Sequence, residues 1–157
     1  AVAGIVNEGL LVKPTLLKKE PASSIEMRRV VSPITSQQIL KLMRVAVISG
    51  GAKKAEVPGF YVAGKTGTVN LRKSKGKGYQ KKYVRTNFVG VFPKKPRYAL
   101  WVMLDNPKPL PKTYGFNAAG WNVAPLAGNI IERVTSVLGL VPEVERQDEP
   151  YQLVTYR

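Results

Sequence analysis

Between Pro58-Gly59 and Asp105 the sequence places three apolar, strand-like segments in close succession: Phe60–Val69, Val84–Phe92 and Tyr98–Leu104. The second and third are separated only by the Pro-bounded stretch Pro93-Lys94-Lys95-Pro96. Parallel neighbours need a crossover of about a dozen residues or more, so this short link predicts an antiparallel hairpin. A polar loop, Asn70–Tyr83, joins the first two, and three adjacent antiparallel strands in sequence order are expected. A sheet of this kind needs an apolar cover on at least one face.

The flanking sequence supplies that cover. Ser32-Pro33 opens a helix, with Ser as N-cap and Pro at the first helical position, where its missing N–H has no partner to lose. Ile39, Leu42, Met43, Ala46 and Val47 recur at helical spacing and form the expected buried stripe, which Gly50-Gly51 ends. A last helix is expected over Val123–Leu138, burying Leu126, Ile130, Val134, Val137 and Leu138, with Gly139 at its end. Before the first long helix, residues 1–9 read as the end of a helix closing at Gly9. Residues 9–17 read as extended and Met27–Val31 as a short strand. The predicted class is α+β: an antiparallel sheet flanked by helices. Residues 143–157 are polar and read as a tail.

With 157 residues, 44% hydrophobic and 22% charged, the chain can bury one ordinary core. It has no cysteine, which fits an oxidising compartment. No apolar run reaches the ~18 residues that a membrane span requires. Residues 1–9 carry neither an initiator Met nor a basic n-region, so the chain reads as a piece of a longer one. The net charge is +15, and four of the ten acids lie in the last fifteen residues. Such a surface attracts polyanions, whether nucleic acid, anionic lipid headgroups or acidic wall polymers. Seven cations and no acid fall in Arg72–Arg85, preferentially a solvated hairpin loop and alternatively a polyanion contact.

The chemistry concentrates in Val62-Ala63-Gly64-Lys65-Thr66-Gly67-Thr68. On a strand, this pattern suits a carboxylate ligand. Lys65 supplies the charge, Thr66 and Thr68 supply hydroxyl donors, and Gly67 removes a side chain that would obstruct a ligand lying along the strand. Tyr114 and Trp121 border the same region, with packing as the preferred reading and ligand contact as the alternative. The chain has no His and no pattern of metal-ligand spacing, and no cofactor is expected.

Further markers stand in order: Ser32-Pro33, Gly50-Gly51, Val57-Pro58-Gly59, Ala63–Thr68, Asn87-Phe88-Val89-Gly90-Val91-Phe92-Pro93, Asp105-Asn106-Pro107, Tyr114-Gly115, Ala124-Pro125, Ile131–Val134 and Leu138-Gly139. Over residues 1–142 this series resembles the C-terminal part of the transpeptidase domain of class B penicillin-binding proteins, most closely the septal, cell-division type. The Lys-Thr-Gly triplet is one of the family's three motifs, beside Ser-x-x-Lys and a Ser-x-Asn-type element. The resemblance implies a serine acyl-transferase that cross-links wall stem peptides ending in D-Ala-D-Ala and is acylated by β-lactams. Lys65 and Thr66 would bind the donor carboxylate. Thr68 would give its backbone N–H to the oxyanion hole, and Gly67 would keep the edge clear. It also implies a periplasmic site at the inner membrane, an anchor upstream, and divisome proteins as candidate partners.

The departure from the family pattern is as informative. The only Ser-x-x-Lys is Ser74-Lys75-Gly76-Lys77, in the basic loop downstream of the strand rather than at a helix start upstream, and no Ser-x-Asn occurs. Without a Ser–Lys pair there is no activated nucleophile. The expectation is a chain that forms one wall of an active site, inactive alone, with the nucleophile in an upstream half of the same protein. The alternatives are a non-catalytic β-lactam sensor or scaffold, and a basic nucleic-acid-binding domain. The last is disfavoured because aromatic and basic residues do not interleave in a reader motif.

Overall fold

A computed structural model describes residues 1–17, 25–72, 78–95 and 98–143. Its centre is a three-stranded antiparallel sheet in the order β3 (Ala63–Arg72), β4 (Tyr79–Phe92), β5 (Tyr98–Asp105), the adjacency anticipated from the short connections. A two-stranded ribbon, β1 (Leu10–Val12) with β2 (Met27–Arg29), stands apart from it and follows a short helix, α1 (Val2–Val6). The helices α2 (Pro33–Ile48) and α3 (Val123–Val137) pack against the sheet. Short 3-10 turns at Lys53–Ala55, Pro111–Thr113 and Ala119–Trp121 shape the connections.

The strand bounds differ from the sequence reading, chiefly by extending β3 and β4 toward their connection. β3 begins at Ala63 rather than Phe60, and the ladder continues through Asn70 to Arg72, with a register shift between those two residues. β4 begins at Tyr79, so most of the segment read as the loop Asn70–Tyr83 belongs to the hairpin. The backbone pairing of Arg72 with Tyr79 extends the ladder there. Residues 18–24, 73–77, 96–97 and 144–157 lie outside the described part, and with them Ser74, Lys77 and nearly all of the polar tail. The last described stretch returns to the body, where the Glu143 N–H donates to the Gly59 carbonyl at 2.8 Å.

The pleat sorts the strand residues onto two faces. Thr86 and Phe88 of β4 are wholly buried, and Leu100, Val102 and Leu104 of β5 lie on the same face against the core. Val47, Ala52, Ala55, Val57, Val123, Ala127 and Ile131 complete that core from the helices and the turn after α2. Phe88 fixes the register. A Cβ on Gly64 would lie 2.4 Å from its Cζ, and a Cβ on Gly90 2.5 Å from its Cε1, so the ring fits only over two directly paired glycines. The opposite face carries Val69, Trp101 and Met103, all substantially exposed.

Both helical stripes differ from the periodicity reading. In α2 the buried positions are Ser36, Arg44 and Val47, while Leu42 is 65% exposed. Arg44, at 2% exposure, forms a two-pronged pair with Glu56, including Nη2 to Oε1 at 2.9 Å. Its Nη1 also donates to the Val62 carbonyl at 2.9 Å, and the guanidinium lies 4.7 Å from the Tyr61 ring centroid. The helix turns this side chain inward because its anion and acceptor lie in the segment leading into β3. In α3 the buried face is Val123, Ala124, Ala127, Gly128, Ile131 and Thr135, whereas Val137 is 87% exposed. Small residues let the helix axis approach the Lys53–Ala55 turn, and Val134, Val137 and Leu138 of the anticipated stripe are left outside.

Breaking a buried pair by removing one partner typically costs about 3–5 kcal/mol. Arg44→Ala should therefore lower unfolding free energy by about that much, and Leu42→Ala by less than about 1 kcal/mol. Urea unfolding of the two variants checks this, and equal effects would show that the apolar stripe, not the ion pair, holds α2.

Candidate active site on the open edge of the sheet

Among the described residues β3 is paired on one side only, so its other edge presents unpartnered backbone to the surroundings. Two hydrogen bonds establish which residues face that way. In an antiparallel ladder a residue directs its N–H and C=O to the same side. The Asn106 N–H donates to the Val84 carbonyl at 2.8 Å, so Val84, Thr86 and Phe88 turn their backbone toward β5. Asn87 and Val89 therefore turn toward β3 and bond their partners Gly67 and Lys65. Thr66 and Thr68 are left with N–H and C=O on the open edge. Independently, Lys65 Nζ, on an exposed side chain, reaches the Thr66 carbonyl at 2.8 Å.

The predicted residues thus assemble as one edge. Lys65 is exposed, and its ammonium lies along the strand margin. Thr66 is half-buried, with its Oγ1 3.6 Å from where a Cβ on Gly51 would stand, so the glycine pair ending α2 forms the adjoining wall. Gly67 faces Asn87, and a Cβ there would stand 2.9 Å from Asn87 Oδ1. The absent side chain therefore makes room for an amide as well as keeping the edge clear. Thr68 is exposed, and its Oγ1 accepts the Ala119 N–H at 3.0 Å.

Sequence reasoning missed the polar network behind this edge. Thr86, fully buried, donates its hydroxyl to Asn122 Oδ1 at 2.8 Å. The same oxygen accepts the Val123 N–H at 2.6 Å, and Asn122 Nδ2 donates to the Asn117 carbonyl at 2.9 Å. Asn immediately before an apolar helical run is a legible N-cap signal, but its tie to β4 is not. Tyr114 and Trp121 pack within the loop before α3. Trp121 meets the Tyr114 ring edge-on with centroids 5.6 Å apart, and stacks on Phe116 at 5.5 Å. Lys54 Nζ caps Trp121, 3.5 Å from its centroid. Tyr114 remains 78% exposed, so the preferred reading as helix-to-sheet packing does not hold for it, whereas Trp121 is half-buried in a turn that contacts α3, β3 and β4. Of the basic stretch, Arg85 pairs with Asp105 at 3.1 Å on the exposed face. Among the described residues there is no cluster able to hold a metal ion and no helix long and apolar enough to cross a membrane.

Asn122→Ala removes the helix cap and leaves the Thr86 hydroxyl unpaired, and should destabilise by about 2–4 kcal/mol. Asn122→Asp, which keeps the acceptor oxygen, should recover most of that loss in the same thermal-unfolding measurement. If Asp is as damaging as Ala, the acceptor role is wrong.

Residues 1–132 match the family described as the penicillin binding protein transpeptidase domain. The probable peptidoglycan D,D-transpeptidase FtsI of Caulobacter vibrioides is 35% identical over 153 residues, covering 92% of this chain and 26% of that protein. The stage V sporulation protein D of Bacillus subtilis is 32% identical over 163 residues, covering 97% of this chain and 24% of that protein. Among solved structures, the transpeptidase domain of Burkholderia pseudomallei penicillin-binding protein 3 superposes with a TM-score of 0.76 at 30% identity, over 90% of this chain and 41% of that one. Penicillin-binding protein 3 of Mycobacterium tuberculosis, complexed with ampicillin, gives 0.77 at 28% identity, over 95% of this chain and 35% of that one. The chain spans about a quarter of the length of the curated relatives it matches. Matched by the family over residues 1–132, and by a relative 35% identical across 92% of its length, the chain belongs to the penicillin-binding protein transpeptidase domain family.

Proposed function

We propose that this chain forms one wall of the active site of a peptidoglycan D,D-transpeptidase that works through a serine acyl-enzyme and is acylated by β-lactams. The observation that carries the reading is the open edge of β3, where the Lys65 ammonium and the outward N–H groups of Thr66 and Thr68 line one margin. A stem peptide ending in D-Ala-D-Ala is an extended chain with a terminal carboxylate. It lies along such an edge as an added strand, with main-chain hydrogen bonds for affinity. Lys65 exchanges the neutral Thr66 carbonyl for the carboxylate, a stronger, charge-assisted partner, and the Thr66 hydroxyl supports it. The Thr68 N–H is a fixed donor where negative charge develops on the attacked carbonyl. Losing one such donor typically costs about 2.7–4 kcal/mol in the barrier. Gly67 leaves the strand surface between these groups free of a side chain.

The Ser-x-x-Lys and Ser-x-Asn elements belong, in this reading, to a part of the protein outside these 157 residues, as does a membrane anchor that holds the site at the periplasmic face of the inner membrane. The ampicillin complex of the M. tuberculosis neighbour supports the β-lactam half of the proposal. The family reading also favours wall peptide over nucleic acid as the partner of this basic surface.

In the full-length protein, Lys65→Ala should slow acylation by a fluorescent penicillin about 10- to 150-fold, the equivalent of a charge-assisted hydrogen bond. Lys65→Arg should recover part of the rate, since it keeps the charge but brings a planar fork to a compact site. The melting temperature should hardly move, because Lys65 is exposed. Wild-type acylation by Lys65→Ala would sink the carboxylate-anchor role, and a large drop in melting temperature would make Lys65 structural.

The isolated 157-residue chain should form no stable penicillin adduct by intact mass, since its one Ser-x-x-Lys, Ser74–Lys77, stands in a Gly- and Lys-rich stretch of the sequence and not at a helix start. An adduct on Ser74 would overturn the placement of the nucleophile elsewhere.

A further inference from the structure

After α3 the chain turns back across the segment that leads into β3. Leu140 packs against the core, and the Glu143 N–H donates to the Gly59 carbonyl at 2.8 Å. A Cβ on Gly59 would stand 2.6 Å from Pro142 Cβ, so the two segments touch closely. The sequence that continues from this anchor is acidic. Glu143, Glu145, Asp148 and Glu149 are four of the ten acids of the chain, and Arg146 is the one cation among them.

The anchor lies beside exposed cations. Two residues past Gly59, the Tyr61 ring has Lys94 Nζ 5.7 Å from its centroid. Lys94 and Lys95 are both exposed in the turn between β4 and β5, and Arg97 follows in the sequence. Among the described residues the ion pairs engage Glu26, Glu56 and Asp105 with Lys13, Arg44 and Arg85, and none involves Lys94 or Lys95. From Glu143, a chain extends at most about 7 Å to residue 145 and about 20 Å to residue 149. An exposed ion pair alone contributes little, but a short tether holds the acids beside the lysines at an effective concentration in the millimolar range.

We propose that the acidic segment 143–149 docks in cis on the Lys94-Lys95 turn, as a strap that occupies this cationic end of the sheet. The strap mimics a polyanion. It closes the turn to anionic polymers and leaves the rest of the basic surface open to them. The proposal does not depend on the transpeptidase reading, since it uses neither Lys65 nor the edge of β3.

The test uses the full-length protein, as an equal mixture of unlabelled and nitrogen-15 chains, treated with a zero-length carbodiimide cross-linker and read by mass spectrometry. Glu145, Asp148 or Glu149 should join to Lys94 or Lys95 within one chain. The yield should exceed by about tenfold that to Lys41 and Lys108, exposed lysines elsewhere, because only a docked segment is concentrated at one place. Similar yields at all four lysines would show a free tail and overturn the docking. Cross-links joining one labelled and one unlabelled chain would place the strap on a second copy and overturn docking in cis. Shielding is read separately, by binding of fluorescent poly-L-glutamate. Glu145→Gln/Asp148→Gln/Glu149→Gln should bind it about 2- to 30-fold more tightly than wild type, the range for two exposed charge pairs. Adding Lys94→Gln/Lys95→Gln should abolish that gain. No gain in the triple variant would overturn the shielding, and a gain that survives loss of both lysines would overturn the assignment to this turn.

Discussion

The seating of Phe88 over Gly64 and Gly90 is the constraint on which the site depends. Side chains on a strand alternate with a period of two, so a slip of one residue between β3 and β4 would exchange every inward group for an outward one. The backbone alternates with the same period. In the observed register Thr66 and Thr68 give their N–H groups to the open edge, while Lys65 and Gly67 spend theirs on Val89 and Asn87. One residue of slip would bury the donors in the ladder. The ring excludes that slip, because only glycines can lie beneath it at two paired positions. A hydrophobic packing contact on the inner face thus decides the hydrogen-bonding identity of the outer edge.

Arg44 controls the other variable, where β3 begins. Its guanidinium holds Glu56 and the Val62 carbonyl, so the end of the connection from α2 and the residue before β3 are fixed by a single buried side chain. Tyr61, which lies under the same guanidinium, has φ of +46, an unfavourable value for a residue with a Cβ. That turn, four residues before Lys65, brings the chain sharply into the strand. A neutral apolar residue at position 44 could fill the space but could not bond the Val62 carbonyl, so the strand entry would lose its directional restraint.

The sheet was legible because its determinants are local. Two prolines bracket the β4–β5 turn, and Tyr98–Leu104 is an unbroken apolar run of strand length, although only the fold shows that alternate residues of it turn inward. The strand placement of Lys65-Thr66-Gly67 was legible, and its charge, hydroxyl and missing side chain at consecutive positions are the basis of the proposed carboxylate-binding role. The helical faces were misread for a common reason. Periodicity marks large apolar residues, yet α3 buries Ala124, Ala127 and Gly128 where the backbone must come close, and α2 buries Arg44 where an anion waits twelve positions away. Neither partner is visible from the helix's own sequence. The same holds for Thr68 and Ala119, whose contact joins residues that only the folded loop brings together.

An exposed strand edge is ordinarily a hazard, because it pairs with any extended chain. Proteins blunt such edges with lysine, with bulges and with covering loops, and β3 carries all three: Lys65 at one end, the irregularity between Asn70 and Arg72 at the other, and the loop at Ala119 beside Thr68. Here the devices leave a gap of defined length, with Thr66 to Thr68 as the unpaired stretch between them. An aggregating strand would need many consecutive ladder bonds and would meet the lysine charge without an anion to balance it. A short peptide ending in a carboxylate needs only a few such bonds and brings that anion with it. In the proposed reading, the features that make the edge a poor partner for another sheet would suit it to a C-terminal peptide, the difference residing in one charge and the length of free backbone.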